Sequence, residues 1–197
     1  MSLILASASA SRAAMLRAAG LDFDIVPARV DEEEIKHSLK AEGASLRDAA
    51  TALAELKAQR VSHGASQDFI IAADSMLECG GVWYDKPATQ VAARDQLLSL
   101  RGKTHELVSA VVLARGGSVI WRHVESARLT MRDFSDAFLD AYLAQAGDDV
   151  LYSVGCYQLE GLGVQLFSRI QGDFFSILGL PMLPLLDILR ENKVLRS

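Results

Sequence analysis

The sequence predicts an α/β fold: a mixed sheet with antiparallel hairpins and flanking helices, in one domain or in two small lobes sharing one core. Three observations carry this. Helical and strand patterns alternate along the whole chain, which argues for a layered α/β domain. Two Gly-Gly pairs, Gly80-Gly81 and Gly116-Gly117, sit between strand-like runs and supply two-residue hairpin turns. Finally, no internal repeat or low-complexity linker interrupts the 197 residues, so residues 1–197 are read as a single domain. The hairpins exclude a purely parallel doubly wound sheet.

Composition narrows the class. The chain is 50% hydrophobic and 23% charged, ordinary for a soluble enzyme. No apolar run is long enough to span a membrane, and the N-terminal MSLILASASASR lacks the basic start of a secretory signal. Cys79 and Cys156 are the only cysteines and form no CxxC pair, so neither a disulfide framework nor a zinc site is indicated. A reducing cytoplasm is the expected location. The net charge of −5 argues against a nucleic-acid backbone as partner. A small polyanion remains compatible, because a local cationic pocket can exist on an acidic protein.

Taken in order, Leu3–Ala6 is a short buried strand running through Ser7, Ser9, Ser11 and Arg12 into a helix over Ala13–Ala19, stopped by Gly20. Hydroxyls, a guanidinium and a helix start together make an anion site. Taken singly, Ser9 or Ser11 reads equally well as an N-cap. Leu21–Pro27 is a weak second strand. Asp31–Glu34 is a run of acids expected in a loop; most such runs are solvated, and the alternative is a role in holding a divalent cation. Ser45–His63 is a helix with a capping pattern at Ser45 and Asp48, stopped by Gly64. Its apolar stripe through Leu46, Ala50 and Leu53 continues to Lys57, a cation that is costly to bury unpaired.

The central stretch is Phe69–Pro87. An apolar run, Phe69–Ala73, ends on Asp74, where a strand end usually meets a ligand crevice. Met76–Cys79 and Val82–Tyr84 then form a hairpin that delivers Lys86. Thr89–Arg101 is a helix, Thr104–Arg115 and Ser118–Arg132 are paired strands, and Ser135–Ala146 is a helix that buries Phe138, Leu139, Tyr142 and Leu143. His105 is a candidate general base, although a lone histidine is more often a structural donor. Asp148–Gly163 is glycine-rich, and Gly155, Gly161 and Gly163 allow close backbone approach to a ligand. Glu160 stands alone among apolar neighbours. Val164–Ile170 is a strand and Met182–Arg190 a packing helix.

The chemistry these residues suit is phosphate chemistry. Arg12, Lys57 and Lys86, with the Ser7 and Ser9 hydroxyls, can neutralise a triphosphate, while Asp74 can act as base for water, directly or through a metal ion. No GxxxxGK[ST] is present, which excludes a P-loop enzyme. Met76 occupies the position where a phosphoaspartyl enzyme needs its second acid.

These residues fall in a familiar order. Leu5–Arg12, Val30-Asp31-Glu32, Leu53–Ala58, Ala73-Asp74-Ser75 and Lys86-Pro87 are followed by Leu100–His105, Gly155–Tyr157, Glu160-Gly161 and Gly179-Leu180-Pro181. With them the chain resembles the Maf-type nucleoside triphosphate pyrophosphatases, once described as septum-formation inhibitors, over almost its whole length. The resemblance implies a Maf/ITPase-like fold, a mixed, twisted sheet arranged as two lobes around a cleft. It also implies hydrolysis between the α- and β-phosphates, yielding a nucleoside monophosphate and pyrophosphate, with Mg²⁺ or Mn²⁺ as cofactor. It makes Asp74 the proton acceptor, Ser7, Arg12, Lys57 and Lys86 phosphate binders, and Asp74 and Glu32 the metal-associated acids. Departures from the pattern are Ala10 and Ser11 near the base, Ser75 after the acid, and Ser153 where many members carry lysine. Ser11, Ser75 and Glu160 are the candidates for selecting the base, and they leave its identity open. The competing reading is a non-catalytic regulator of cell division that binds a nucleotide or a protein. The hairpin around Trp83 is a candidate homodimer contact.

Overall fold

The computed structural model describes residues 2–62 and 67–196. A seven-stranded sheet in the order β2-β1-β3-β5-β6-β7, with β4 paired to β3, is combined with seven α-helices among the described residues. In chain order these are β1 (Leu3–Leu5), α1 (Ala10–Ala18), β2 (Asp24–Ile25), α2 (Glu32–Ala41), α3 (Leu46–Ser62), β3 (Phe69–Cys79) and β4 (Val82–Tyr84). There follow α4 (Gln90–Leu100), β5 (Thr104–Arg115), β6 (Ser118–Met131), α5 (Asp136–Ala146), β7 (Phe167–Gln171), α6 (Phe174–Ile177) and α7 (Met182–Glu191). The sheet is mixed: β1 pairs parallel with β2 and β3, whereas β4 pairs antiparallel with β3 and β7 with β6. No described helix is long and apolar enough to cross a membrane.

Both hairpin turns form where Gly-Gly pairs stand, and all four glycines have positive φ. That is the backbone a tight hairpin of the primed type demands. Helix α3 begins with the Asp48 N–H donated to Ser45 Oγ at 3.1 Å, while the Ser45 hydroxyl bonds the Asp48 carboxylate at 2.6 Å. The expected end of this helix at His63 and its stop at Gly64 lie outside the described residues.

The chain divides into two compact units. The first comprises Met1–Ser75, Val108–Glu125 and Gly179–Ser197; the second comprises Met76–Leu107 and Ser126–Leu178. In the first, β1 and the start of β3 contribute Leu5, Ile70 and Ile71 to a core closed by Leu16, Leu53 and Leu189, all fully buried. In the second, Leu77, Leu97, Leu100, Leu129, Leu139 and Leu166 form the centre of a separate cluster.

Five expectations are corrected. The acids Glu32, Glu33 and Glu34 are the first turn of α2, capped by Asp31, not a loop; acids in that position complement the positive end of the helix dipole. Asp74 does not end a strand: β3 is continuous, because Met76, Leu77 and Cys79 resume burial beyond it. The strand expected over Leu21–Pro27 shrinks to Asp24–Ile25. The one expected over Val164–Ile170 is a 3₁₀ turn, Leu162–Leu166, followed by β7. Gly155 and Gly163 do permit close approach, but to the chain itself: a Cβ would lie 2.5 Å from the Tyr157 ring and 2.5 Å from the Gln158 carbonyl oxygen, respectively.

Candidate active site

Asp74 lies in the interior of β3 and is 4% exposed. Its Oδ1 meets Lys57 Nζ at 2.5 Å, while Oδ2 is buried and has no hydrogen-bond partner among the described residues. Lys57 reaches it from the apolar stripe of α3, flanked by buried Ala54, Ala58 and Val61. This is how the helix tolerates a lysine at a core position: the ammonium is paired, not dissolved in hydrocarbon. Glu32, in the first turn of α2, adds a second carboxylate at 2.8 Å from the same Nζ. One ammonium therefore bridges two carboxylates, and the Arg12 guanidinium is near enough to act on both.

Asp74 and Ser75 are neighbours in a strand, so their side chains leave opposite faces. Asp74 meets α3. Ser75 Oγ instead lies 3.0 Å from Arg12 Nη2 and 2.9 Å from Ser109 Oγ on β5. Arg12 is held by three further bonds. Its Nε donates to the Gly179 carbonyl at 2.8 Å, and its Nη1 donates to the Ala73 carbonyl at 2.9 Å and to Ser7 Oγ at 3.3 Å. Burial pulls the guanidinium below its ordinary pKa, and the Asp74 and Glu32 carboxylates oppose that shift; an arginine stays charged regardless.

Ser7 is buried at the end of β1, and its oxygen accepts from both Arg12 Nη1 and the Ser9 N–H, at 3.2 Å for the latter. With both lone pairs engaged, the hydroxyl is left its proton to donate to a further acceptor. Ser9 is the N-cap of α1, accepting from the Arg12 N–H at 3.3 Å. Ser11 is half-buried in the first turn of that helix.

The first unit thus gathers Ser7, Ser9, Ser11, Arg12, Glu32, Lys57, Asp74 and Ser75. Lys86, exposed just after β4, and Glu160, exposed before the 3₁₀ turn, belong to the second unit. So does His105, which is 2% exposed, bonded to the Tyr157 hydroxyl at 2.9 Å and pushed down to about 4 by burial. Packed against the Tyr157 and Phe167 rings, it is a structural histidine. Ser153 turns its hydroxyl onto the Tyr157 carbonyl at 2.5 Å, bracing the loop between them. The cavity bordered by Tyr142, Gln145, Asp149, Gln158, Leu162 and Gly163 in this unit touches none of the candidate phosphate, metal or base residues. Sequence reasoning passed over Ser109. Its only trace was a lone hydroxyl within the otherwise apolar run Val108–Ala114 of β5.

The Maf-like protein family model matches residues 2–192. The chain belongs to the Maf-like family. It is 54% identical over 195 residues to a protein of Granulibacter bethesdensis named nucleoside triphosphate pyrophosphatase, covering 99% of each chain. Its identity to a protein of the same name from Paramagnetospirillum magneticum is 57% over 189 residues, covering 96% of this chain and 97% of the other. A Rhizobium meliloti relative, 51% identical over 189 residues with 96% and 95% coverage, is named 7-methyl-GTP pyrophosphatase. These relatives are matched over 95% or more of their own length, and one of the printed names specifies a base where the other two do not.

Proposed function

We propose that this Maf-like protein hydrolyses nucleoside triphosphates between the α- and β-phosphates, releasing a nucleoside monophosphate and pyrophosphate. The observation that carries the reading is Asp74: a buried carboxylate with one oxygen anchored on Lys57 and the other without a partner. Oδ2 accepts a proton from the attacking water as the water oxygen bonds to phosphorus and the α–β bridging oxygen departs with the pyrophosphate. Lys57 fixes the carboxylate's orientation, and Glu32 fixes Lys57 from the solvent side, its own side chain being 41% exposed. Charge on the phosphates is met by the free proton of Ser7 and the N-terminus of α1. The family resemblance assigns Lys86 to the phosphates and makes Glu160 a candidate for selecting the base.

A divalent cation suits these residues. Among the described residues a buried oxygen of Asp74 lacks a partner, and the Glu32 carboxylate stands on the same lysine. No group of three or more His, Cys, Asp or Glu side chains able to hold a metal occurs among the described residues. Glu32 directly, and Asp74 through the water whose proton Oδ2 accepts, would hold the ion with oxygens of the substrate, the donor set typical of Mg²⁺ beside phosphates. Bound there, the ion would neutralise phosphate charge and acidify water.

The test is product analysis by phosphorus NMR with Mg²⁺ or Mn²⁺ over UTP, dTTP, CTP, GTP and 7-methyl-GTP. Monophosphate with stoichiometric pyrophosphate is expected. A nucleoside diphosphate with orthophosphate, or no product at all, would overturn the reading.

A further inference from the structure

Arg12 is spent largely on the protein itself. Its Nε and both Nη atoms make four hydrogen bonds, to Gly179, Ala73, Ser7 and Ser75, leaving one Nη2 N–H. Two of these acceptors bracket Asp74 in sequence. The Ala73 carbonyl continues the edge along which the Ile71 carbonyl accepts from the Ala6 N–H, since carbonyls two apart in a strand face the same way. β1 ends its pairing with β3 at Leu5 and Ile71, so beyond that point the guanidinium takes the place of a partner strand. Ser75, on the other side of Asp74, is fixed between Arg12 and Ser109.

Gly179 completes the arrangement. Its φ is +102°, and a Cβ there would lie 3.2 Å from Ser75 Oγ and 3.3 Å from Arg12 Nε. Any larger residue would push on both partners at once. Gly179 is 167 positions from Arg12, so this contact is a product of the fold, not of local sequence.

We propose that Arg12, seated on the Gly179 carbonyl, is a positioning residue that clamps β3 on both sides of Asp74 and so aims its carboxylate. This rests on Asp74 acting as the base of the proposed hydrolysis. Arg12 thereby acts through the strand, not as a principal ligand of the phosphates. Lysine is no substitute in this role: it carries the charge, but a single ammonium cannot reproduce a planar four-bond fork.

The experiment compares kcat and KM for wild type, Arg12→Lys, Arg12→Ala, Ser75→Ala, Gly179→Ala and the double variant Ser75→Ala/Gly179→Ala, with thermal unfolding to confirm folding. A clamp predicts that kcat drops by roughly 10- to 100-fold, the usual penalty of a small misplacement, while KM changes little. Arg12→Lys should be as slow as Arg12→Ala, and the double variant should lose less than the product of its single losses. Retention of kcat by Arg12→Lys, with Arg12→Ala acting mainly on KM, would overturn the clamp and make Arg12 a phosphate ligand. A wild type without turnover would instead defeat the hydrolytic reading. The Arg12 Nε–H resonance tests the clamp independently of turnover. It should exchange slowly, be lost in Gly179→Ala, and stay in place when an α,β-methylene nucleoside triphosphate is added. Fast exchange in the wild type, or a large shift on adding that analogue, would refute the clamp.

Discussion

Replacing Lys57 with methionine keeps most of the side-chain volume in the α3 stripe and removes only the ammonium. Asp74, 4% exposed, then loses its contact at 2.5 Å, and Glu32 loses its contact at 2.8 Å. Breaking a buried ion pair from one side costs about 3–5 kcal/mol, because the remaining charge stays desolvated. Glu32 is half-exposed and can turn to water, so nearly all of that cost falls on Asp74. Against a whole-domain stability of about 5–15 kcal/mol, this is a large fraction. Urea unfolding at pH 7 should therefore show a much lower midpoint with a similar slope. Lys57→Met/Asp74→Asn removes the orphaned charge and should be more stable than Lys57→Met alone, a coupling of about 1–3 kcal/mol. If Lys57→Met unfolds within about 1 kcal/mol of wild type and the double variant is merely additive, the pair is not the buried anchor described here.

Acidification should weaken the second unit through His105. Burial lowers its pKa from 6.5 to about 4, so the unfolded chain takes up the proton first and stability falls as pH drops through that interval. The loss is at most about 3–4 kcal/mol at about 1.4 kcal/mol per unit. His105→Gln, which can still bond the Tyr157 hydroxyl, should show a flatter stability-versus-pH curve over the same range; an unchanged slope would place the titration elsewhere. Gly163→Ala sets a methyl group 2.5 Å from the Gln158 carbonyl oxygen, a backbone atom with no rotamer to yield. It should cost about 1–3 kcal/mol, as overpacking does, and a wild-type melting curve would contradict this. Removal of divalent cations by EDTA should abolish pyrophosphate release and leave the melting temperature nearly unchanged, since the Lys57 pair already stabilises both acids; restoration by Mg²⁺ checks the reversal.

Sequence reasoning reached the features whose causes are local. The Gly-Gly turns were legible because only positive φ closes such a hairpin, and the α3 cap because its two partners stand three residues apart. Lys57 was legible as an anomaly, a cation in an apolar stripe, and the structure supplies its partner 17 residues away. The misreadings have a common cause. Asp74 and Ser75 look like a strand end because nearby sequence does not show what satisfies them: a lysine on one face, and an arginine and a serine on the other. The acids at Glu32–Glu34 look like a solvated loop until a helix dipole gives them a reason to be there. Helix α6, Phe174–Ile177, is too short to display a period. Ser109 and Gly179 acquire their roles solely from distant partners, 34 residues away for Ser109 at Ser75 and 167 for Gly179 at Arg12.

The most direct test of the account is turnover by Asp74→Asn. An amide is nearly isosteric with the carboxylate and can still accept from Lys57, but it cannot take a proton from water. The variant should bind a nucleoside triphosphate about as tightly as wild type while kcat for pyrophosphate release falls by roughly 10²- to 10⁴-fold, the usual loss for a general base. Pyrophosphate release at the wild-type rate would show that Asp74 is not the base and would contradict the mechanism.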